Sequence, residues 1–165
     1  MINIVLVEPE IPQNAGNIIR TCSAIGAKLY MVKPLGFKLE DKYFKRAGLD
    51  YFSLADFTVV DSLDEIMKEH KNAKFYFAST KSKHTYVDVK YDDGCFIVFG
   101  KESYGLKETL LKKNYDNCIR IPMIKDARSL NLSNSVAIIA YEAMRQQGFE
   151  NLKNYGELTG RPESD

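Results

Sequence analysis

Ile2-Asn3-Ile4-Val5-Leu6-Val7-Glu8-Pro9-Glu10-Ile11-Pro12-Gln13-Asn14-Ala15-Gly16-Asn17-Ile18-Ile19-Arg20-Thr21-Cys22 is the stretch that decides the fold class. Its first six residues form a short apolar run rich in branched side chains. That is the pattern of a parallel strand buried on both faces. Pro12 fits the first turn of a helix, where its missing N–H costs nothing. Ala15, Ile18, Ile19 and Cys22 then lay one apolar stripe along that helix. Gly26 ends it, and Leu29 to Val32 reads as the next strand.

The alternation continues outward from this unit. Asp41 to Ala47 predicts a short basic helix and Thr58 to Val60 a strand. Ser62 with Glu65 forms a capping box that opens a helix to about His70. Strands are expected at Phe75 to Ala78, Cys95 to Phe99 and Cys118 to Ile121. Helices are expected over Leu106 to Lys113 and over Asn131 to Gln147, the last stopped by Gly148. Strands alternating with helices imply an α/β fold with a mostly parallel sheet. A chain of 165 residues makes one domain, here 1–150, with 151–165 as a polar tail.

Composition narrows the function classes. Apolar residues are 45% and charged residues 27%, an ordinary soluble mix. No apolar run approaches the ~20 residues that span a bilayer. The N-terminus lacks a basic start and meets Glu8 and Pro9 too early for a signal peptide. Cys22, Cys95 and Cys118 are odd in number and widely spaced, which predicts reduced core thiols in a cytoplasmic protein. With two histidines and no C-x-x-C pair, no metal site is expected. His84, among lysines, reads as a surface residue.

Net charge is only +1, yet it is unevenly spread. Lys33 to Arg46 and Lys71 to Lys90 are basic windows, and Asp50 to Glu69 is acidic. Basic windows on a neutral chain make a footprint for phosphates. On charge alone, scattered solvated lysine is the plainer reading.

Familiar nucleotide motifs fail by near misses. No G-x-G-x-x-G follows a strand. Gly100-Lys101-Glu102-Ser103-Tyr104-Gly105 has P-loop spacing, but Leu106 stands where the phosphate-gripping lysine belongs. Ser103 lacks the preceding glycine of a nucleophile elbow.

Three segments carry more polar detail than a core requires. In the first, Asn14, Asn17 and Arg20 recur at helical spacing and are expected as a polar ridge opposite the apolar stripe. Asparagines are poor helix formers, so their use there points to a task. In the second, Phe96 to Phe99 runs into Gly100, whose missing side chain would let a ligand approach the strand end. In the third, Ser129, Asn131, Ser133 and Asn134 crowd a helix start where one cap would suffice. Their surplus donors would suit a ligand. Ser135, Ala137, Ala140 and Ala143 in the following helix are small enough for close packing against another helix, of this chain or a second copy.

The ordered set Asn14-x-Gly16-Asn17-x-x-Arg20-Thr21, Phe99-Gly100-x-Glu102-x-x-Gly105-Leu106, and Ile121-Pro122-Met123 through Ser129-Leu130-Asn131-Leu132-Ser133 resembles the motifs of SPOUT-class (α/β-knot) RNA ribose 2′-O-methyltransferases. Within the class it resembles the small branch acting on the wobble nucleotide of tRNA, cytidine or uridine at position 34. No further RNA-binding domain is expected ahead of the motifs.

True knots are essentially absent from proteins, and the resemblance implies one of the exceptions, a C-terminal trefoil knot. It implies S-adenosylmethionine as methyl donor, S-adenosylhomocysteine as product, and no metal. The donor pocket would comprise Ala78, Ser79, Thr80, Gly100, Glu102, Ile121, Pro122, Ser129, Leu130 and Ser133. Catalysis would fall to Arg20, aided by Asn14, Glu102, Ser129 and Asn131. The expected partners are the tRNA anticodon stem-loop, contacted by the basic windows, and a second copy in a homodimer that places Arg20 at the other copy's donor. No membrane is involved. Action on another tRNA or rRNA position, and a non-catalytic RNA-binding module, are the alternatives.

Overall fold

A computed structural model describes residues 1–48, 51 and 53–160. In chain order the elements are β1 (Asn3–Val7), α1 (Pro12–Ile25), β2 (Lys28–Val32), α2 (Lys42–Gly48), β3 (Phe57–Val60), α3 (Leu63–Glu69) and β4 (Phe75–Ala78). There follow β5 (His84–Thr85), β6 (Phe96–Phe99), α4 (Glu108–Lys113), a 3-10 turn (Tyr115–Asn117), β7 (Cys118–Arg120) and α5 (Leu132–Gln146). The strands form one sheet in the order β3-β2-β1-β6-β4-β7-β5, and every paired neighbour is parallel.

Alternation along each strand divides the core between two faces. Ile4 and Leu6 of β1 join Ile97 and Phe99 of β6 beneath α1 and α5. Val5, Val98 and Phe77 point the other way, toward Leu63 and Ile66 of α3 and Leu111 of α4. Helix α1 begins on Pro12 and ends on Gly26, whose φ of 67° lies in the left-handed region that a side chain would resist. Helix α3 is capped by Ser62, whose hydroxyl accepts from the Glu65 N–H at 3.2 Å. Ala140 and Ala143 of α5 are fully buried in the cluster holding Ile18 and Ile19 of α1, so those two small residues pack within this chain, while Ser135 and Ala137 are only half-buried.

Several expectations need correction. Asn14, Asn17 and Arg20 do not form one surface ridge, because Asn14 is buried at 5% exposure while the other two face solvent. His84 is half-buried in β5, a two-residue strand too short to show a period of two. Phe149 and Leu152 pack back on the core, so the polar tail starts after Leu152 rather than at 151. Residues 161–165 of that tail lie outside the described residues, as does Asp50 of the acidic window.

The cysteines are free and buried as expected. Burial pushes the Cys22 and Cys95 thiols up to about 12. Among the described residues no helix is long and apolar enough to cross a membrane. No cluster of three metal-ligating side chains occurs among them either.

Strand β7 lies between β4 and β5, which are themselves joined by only residues 79–83. That short connection therefore crosses β7. Ser82 fixes the crossing: its hydroxyl donates to the Cys118 carbonyl at 2.5 Å and accepts from the His84 N–H at 3.0 Å. The side chain is 5% exposed. Nothing in Lys81-Ser82-Lys83 announces a buried serine. Ser82→Ala strands a buried carbonyl and N–H, which should cost about 1–3 kcal/mol. The check is the urea midpoint of the two proteins at unchanged m-value.

Candidate active site

A parallel sheet brings the carboxyl ends of its strands to one edge, where ligands of such sheets bind. Here the loops leaving β1, β4, β6 and β7 meet at that edge. They enclose a cleft of about 650 Å³. Sites for small molecules run from about 300 to 1,000 Å³.

One hydrogen-bond relay joins three of these segments. Asn131 caps α5: its Oδ1 accepts from the Ser133 N–H at 2.9 Å and the Ser133 hydroxyl at 2.7 Å. Its Nδ2 donates to Asn14 Oδ1 at 2.9 Å. Asn14 Nδ2 in turn donates to Glu102 Oε1 at 3.0 Å. Glu102 also accepts from the N–H groups of Glu10 at 2.8 Å and Ile11 at 3.2 Å. The relay has one direction, from the N-terminus of α5 to a carboxylate with three donors.

A second set of contacts fastens the β1–α1 loop to the β6–α4 loop. Glu10 accepts from both the N–H and the hydroxyl of Ser103 at 2.8 Å. Those two bonds, the N–H first, hold its carboxyl below the usual carboxylate range. Lys101 reaches Glu8 at 3.1 Å. The β6–α4 loop also closes on itself, with the Gly105 N–H donating to the Lys101 carbonyl at 2.8 Å. A Cβ on Gly100 would lie 2.1 Å from the Gly105 carbonyl carbon. Gly100 is thus required by the chain's own return, whereas the sequence suggested room for a ligand.

Of the residues picked out in the sequence, Asn14, Ala78, Ser79, Thr80, Gly100, Glu102, Ile121, Ser129, Leu130 and Asn131 all line the cleft. Three do not. Pro122 faces solvent. Ser133 spends its hydroxyl on Asn131. Arg20 is exposed on α1, its guanidinium 4.9 Å from the Tyr51 ring. Sequence reasoning missed the Glu10–Ser103 contact and the cleft position of Arg120, while Met123 lines the cleft within the loop from Ile121 to Leu130 that the resemblance assigned to the pocket. The only signal for the first was the surplus of acids among prolines at Glu8 and Glu10.

The basic windows fare differently. Lys42, Lys45 and Arg46 are exposed on α2, which packs against α1. The window from Lys71 to Lys90 does not form one face. Lys74 precedes β4 and pairs with Asp92 at 2.8 Å, at the sheet edge opposite the cleft. Lys81 follows β4 at the cleft and pairs with Glu108, while Lys83 directly precedes β5 and pairs with Asp116 ahead of β7.

A model of the SpoU rRNA Methylase family matches residues 1–141. The tRNA (cytidine(34)-2′-O)-methyltransferase of Escherichia coli K12 is 41% identical over 150 residues, covering 90% of this chain and 96% of that protein. The enzyme of the same name from Saccharophagus degradans is 43% identical over 154 residues, covering 93% and 100%. A solved structure described as giving insight into 2-OH methylation of C/U34 on tRNA superposes with a TM-score of 0.86 at 39% identity, covering 90% of this chain and 97% of the other.

Asn14→Ala and Asn131→Ala should be non-additive in denaturant melts, with a coupling of about 0.5–3 kcal/mol. Additivity would dissolve the relay. The Glu10 contact has its own pH signature. A carboxyl lowered on folding stabilises above its ordinary value of 4.5 and loses that contribution as pH falls through the folded value. Thermal melts from neutral pH down through that range should therefore fall less steeply for Glu10→Gln than for the wild type.

Proposed function

The chain belongs to the SpoU methylase family, and on that premise we propose that it transfers a methyl group from S-adenosylmethionine to the ribose 2′-hydroxyl of the wobble nucleotide, position 34, of tRNA. One observation carries the reading. Three segments far apart in sequence close on a single cleft through the Glu102–Asn14–Asn131 relay. Relatives named for cytidine 34 match along nine-tenths of the chain, and the C/U34 description of the similar structure supports uridine as a second substrate.

The cleft fits the donor. Ile121, Leu130, Leu132 and Ile139 give an apolar side suited to a base, and Ala78 to Thr80 with Gly100 bring main chain to its rim. When bound, the donor supplies an electrophilic methyl on a sulfonium sulfur, which the ribose oxygen attacks as the carbon–sulfur bond breaks. An alkoxide meeting a sulfonium gives neutral products, so walls that exclude water favour the step.

Asn14, Glu102 and Asn131 are positioning residues in this scheme, since their polar atoms are engaged with one another and with main chain. Ser129 lines the cleft from the loop after β7 and orients the hydroxyl. Arg20 carries the charge. A guanidinium does not give up its proton in proteins, so Arg20 stabilises the forming alkoxide or holds the adjacent phosphate, and the proton of the ribose hydroxyl is released to solvent. Arg20 lies outside its own chain's cleft and serves that of a second copy. The outward face of α5, with Ile138 and Tyr141 exposed, supports a homodimer built there with α1. The crossing of residues 79–83 over β7 supports threading of the C-terminal segment as a trefoil knot.

Incubation with labelled donor and tRNA, followed by mapping of the modified nucleotide, should place the label on the ribose of nucleotide 34. Label elsewhere overturns the assignment. Arg20→Ala should lower transfer by roughly 10²–10³ with donor affinity unchanged. Mixing Arg20→Ala with Asn131→Ala protomers should restore transfer that neither shows alone, because one site of the mixed dimer regains both residues.

A further inference from the structure

Tyr104 sits at the tip of the β6–α4 loop with 82% of its surface exposed. It borders two clefts at once. One is the cleft described above. The other, about 910 Å³, lies behind the same loop, with Val7, Val32 and Leu63 in its lining and Lys107 and Lys113 beside them. A tyrosine ring left in water forgoes most of the burial that makes aromatic residues valuable. Slackness of the loop does not account for it. The loop is closed by the Gly105–Lys101 bond, anchored at Ser103 by both donors to Glu10, and anchored at Glu102 by three donors. The ring is therefore a projection on a braced mount.

Its surroundings suit nucleic acid. Lys107 and Lys113 line the second cleft, so cations stand on that side of the ring, while Lys81 on the side of the first cleft is held by Glu108. Most of the nearby carboxylates are engaged: Glu8 by Lys101, Glu10 by Ser103, Asp61 by Lys33, Glu102 by its three donors and Glu108 by Lys81, while Asp64 lies at the far side of the second cleft. An exposed aromatic face flanked by cations is how unpaired nucleotides are held, the base stacking on the ring and the backbone meeting the charges.

We propose that Tyr104 is the stacking platform for an unpaired RNA base, that of a nucleotide adjoining the one methylated. The proposal rests on the tRNA reading given above. It makes Tyr104 a substrate-positioning contact at the rim of the cleft, separate from the residues that hold the donor.

The chain contains no tryptophan, so Tyr104→Trp installs a single indole whose fluorescence reports stacking directly. Anticodon stem-loop RNA should quench it. The same RNA made abasic on one side of the wobble position should not, and S-adenosylhomocysteine alone should not. In turnover assays Tyr104→Ala should raise KM for the RNA roughly 5- to 150-fold, the span of one stacked base, with kcat and donor affinity unchanged. Tyr104→Phe should behave as wild type. Quenching by S-adenosylhomocysteine alone would assign the ring to the donor and overturn the proposal. So would equal quenching by every abasic RNA, or an unchanged KM in Tyr104→Ala. Wild-type protein that leaves nucleotide 34 unmethylated would sink the functional reading instead, and the indole titrated with unstructured single-stranded RNA would still decide the platform: quenching sustains it and silence ends it.

Discussion

A buried amide on the first helix holds the edge of this molecule together. Asn14 sits in the first turn of α1, is a weak helix former, and is almost fully buried. Burying an amide without partners costs several kcal/mol in an apolar setting. Here the cost is offset because the Asn14 amide lies between a carboxylate and a second amide. An aspartate would bring a second negative charge against Glu102 and could not donate to it. A leucine would fill the space and leave Glu102 and Asn131 each short of a partner. The chemistry of both neighbours therefore selects asparagine, and helix propensity yields to it.

The sheet gives the relay something rigid to brace. Strands β1 and β6 are central and buried, and their loops leave side by side. The Glu8–Lys101 and Glu10–Ser103 contacts fasten those loops to each other. On the far side, residues 79–83 cross β7 and are fixed by Ser82. The cleft is thus bounded by loops tied at both flanks, which favours a largely pre-formed site over one assembled by its ligand.

Much of this was legible in the sequence because it depends on local pattern. The stripe of Ala15, Ile18, Ile19 and Cys22, the Ser62 cap and the Gly26 stop each have a local physical cause, and each stands where expected. What was not legible depends on partners distant in sequence. Periodicity placed Asn14 on a polar face, but it carries no information about a carboxylate 88 residues away. Gly100 looked like a ligand's opening because the return of Gly105 against it is set by tertiary geometry. Ser82 stands between two lysines and drew no attention in the sequence, since only the insertion of β7 buries it. The Lys71 to Lys90 window summed charges that the strand then carried to opposite edges of the sheet.

The fate of that window bears on how a chain of net charge +1 engages a polyanion. Lys74, Lys81 and Lys83 are each paired with a carboxylate, at exposed positions where such pairs contribute little to stability. Pairing of this kind lowers the general attraction for phosphate, and with it the sequence-independent binding that charge alone supplies. What is left for recognition is local: the exposed cations of α2 beside Arg20, and a braced aromatic ring at the rim of the cleft. An enzyme that must choose one nucleotide in one loop gains from that economy. Weak general attraction suppresses unproductive binding elsewhere on the RNA, and the few directed contacts operate only where a base is unpaired and a ribose lies within reach.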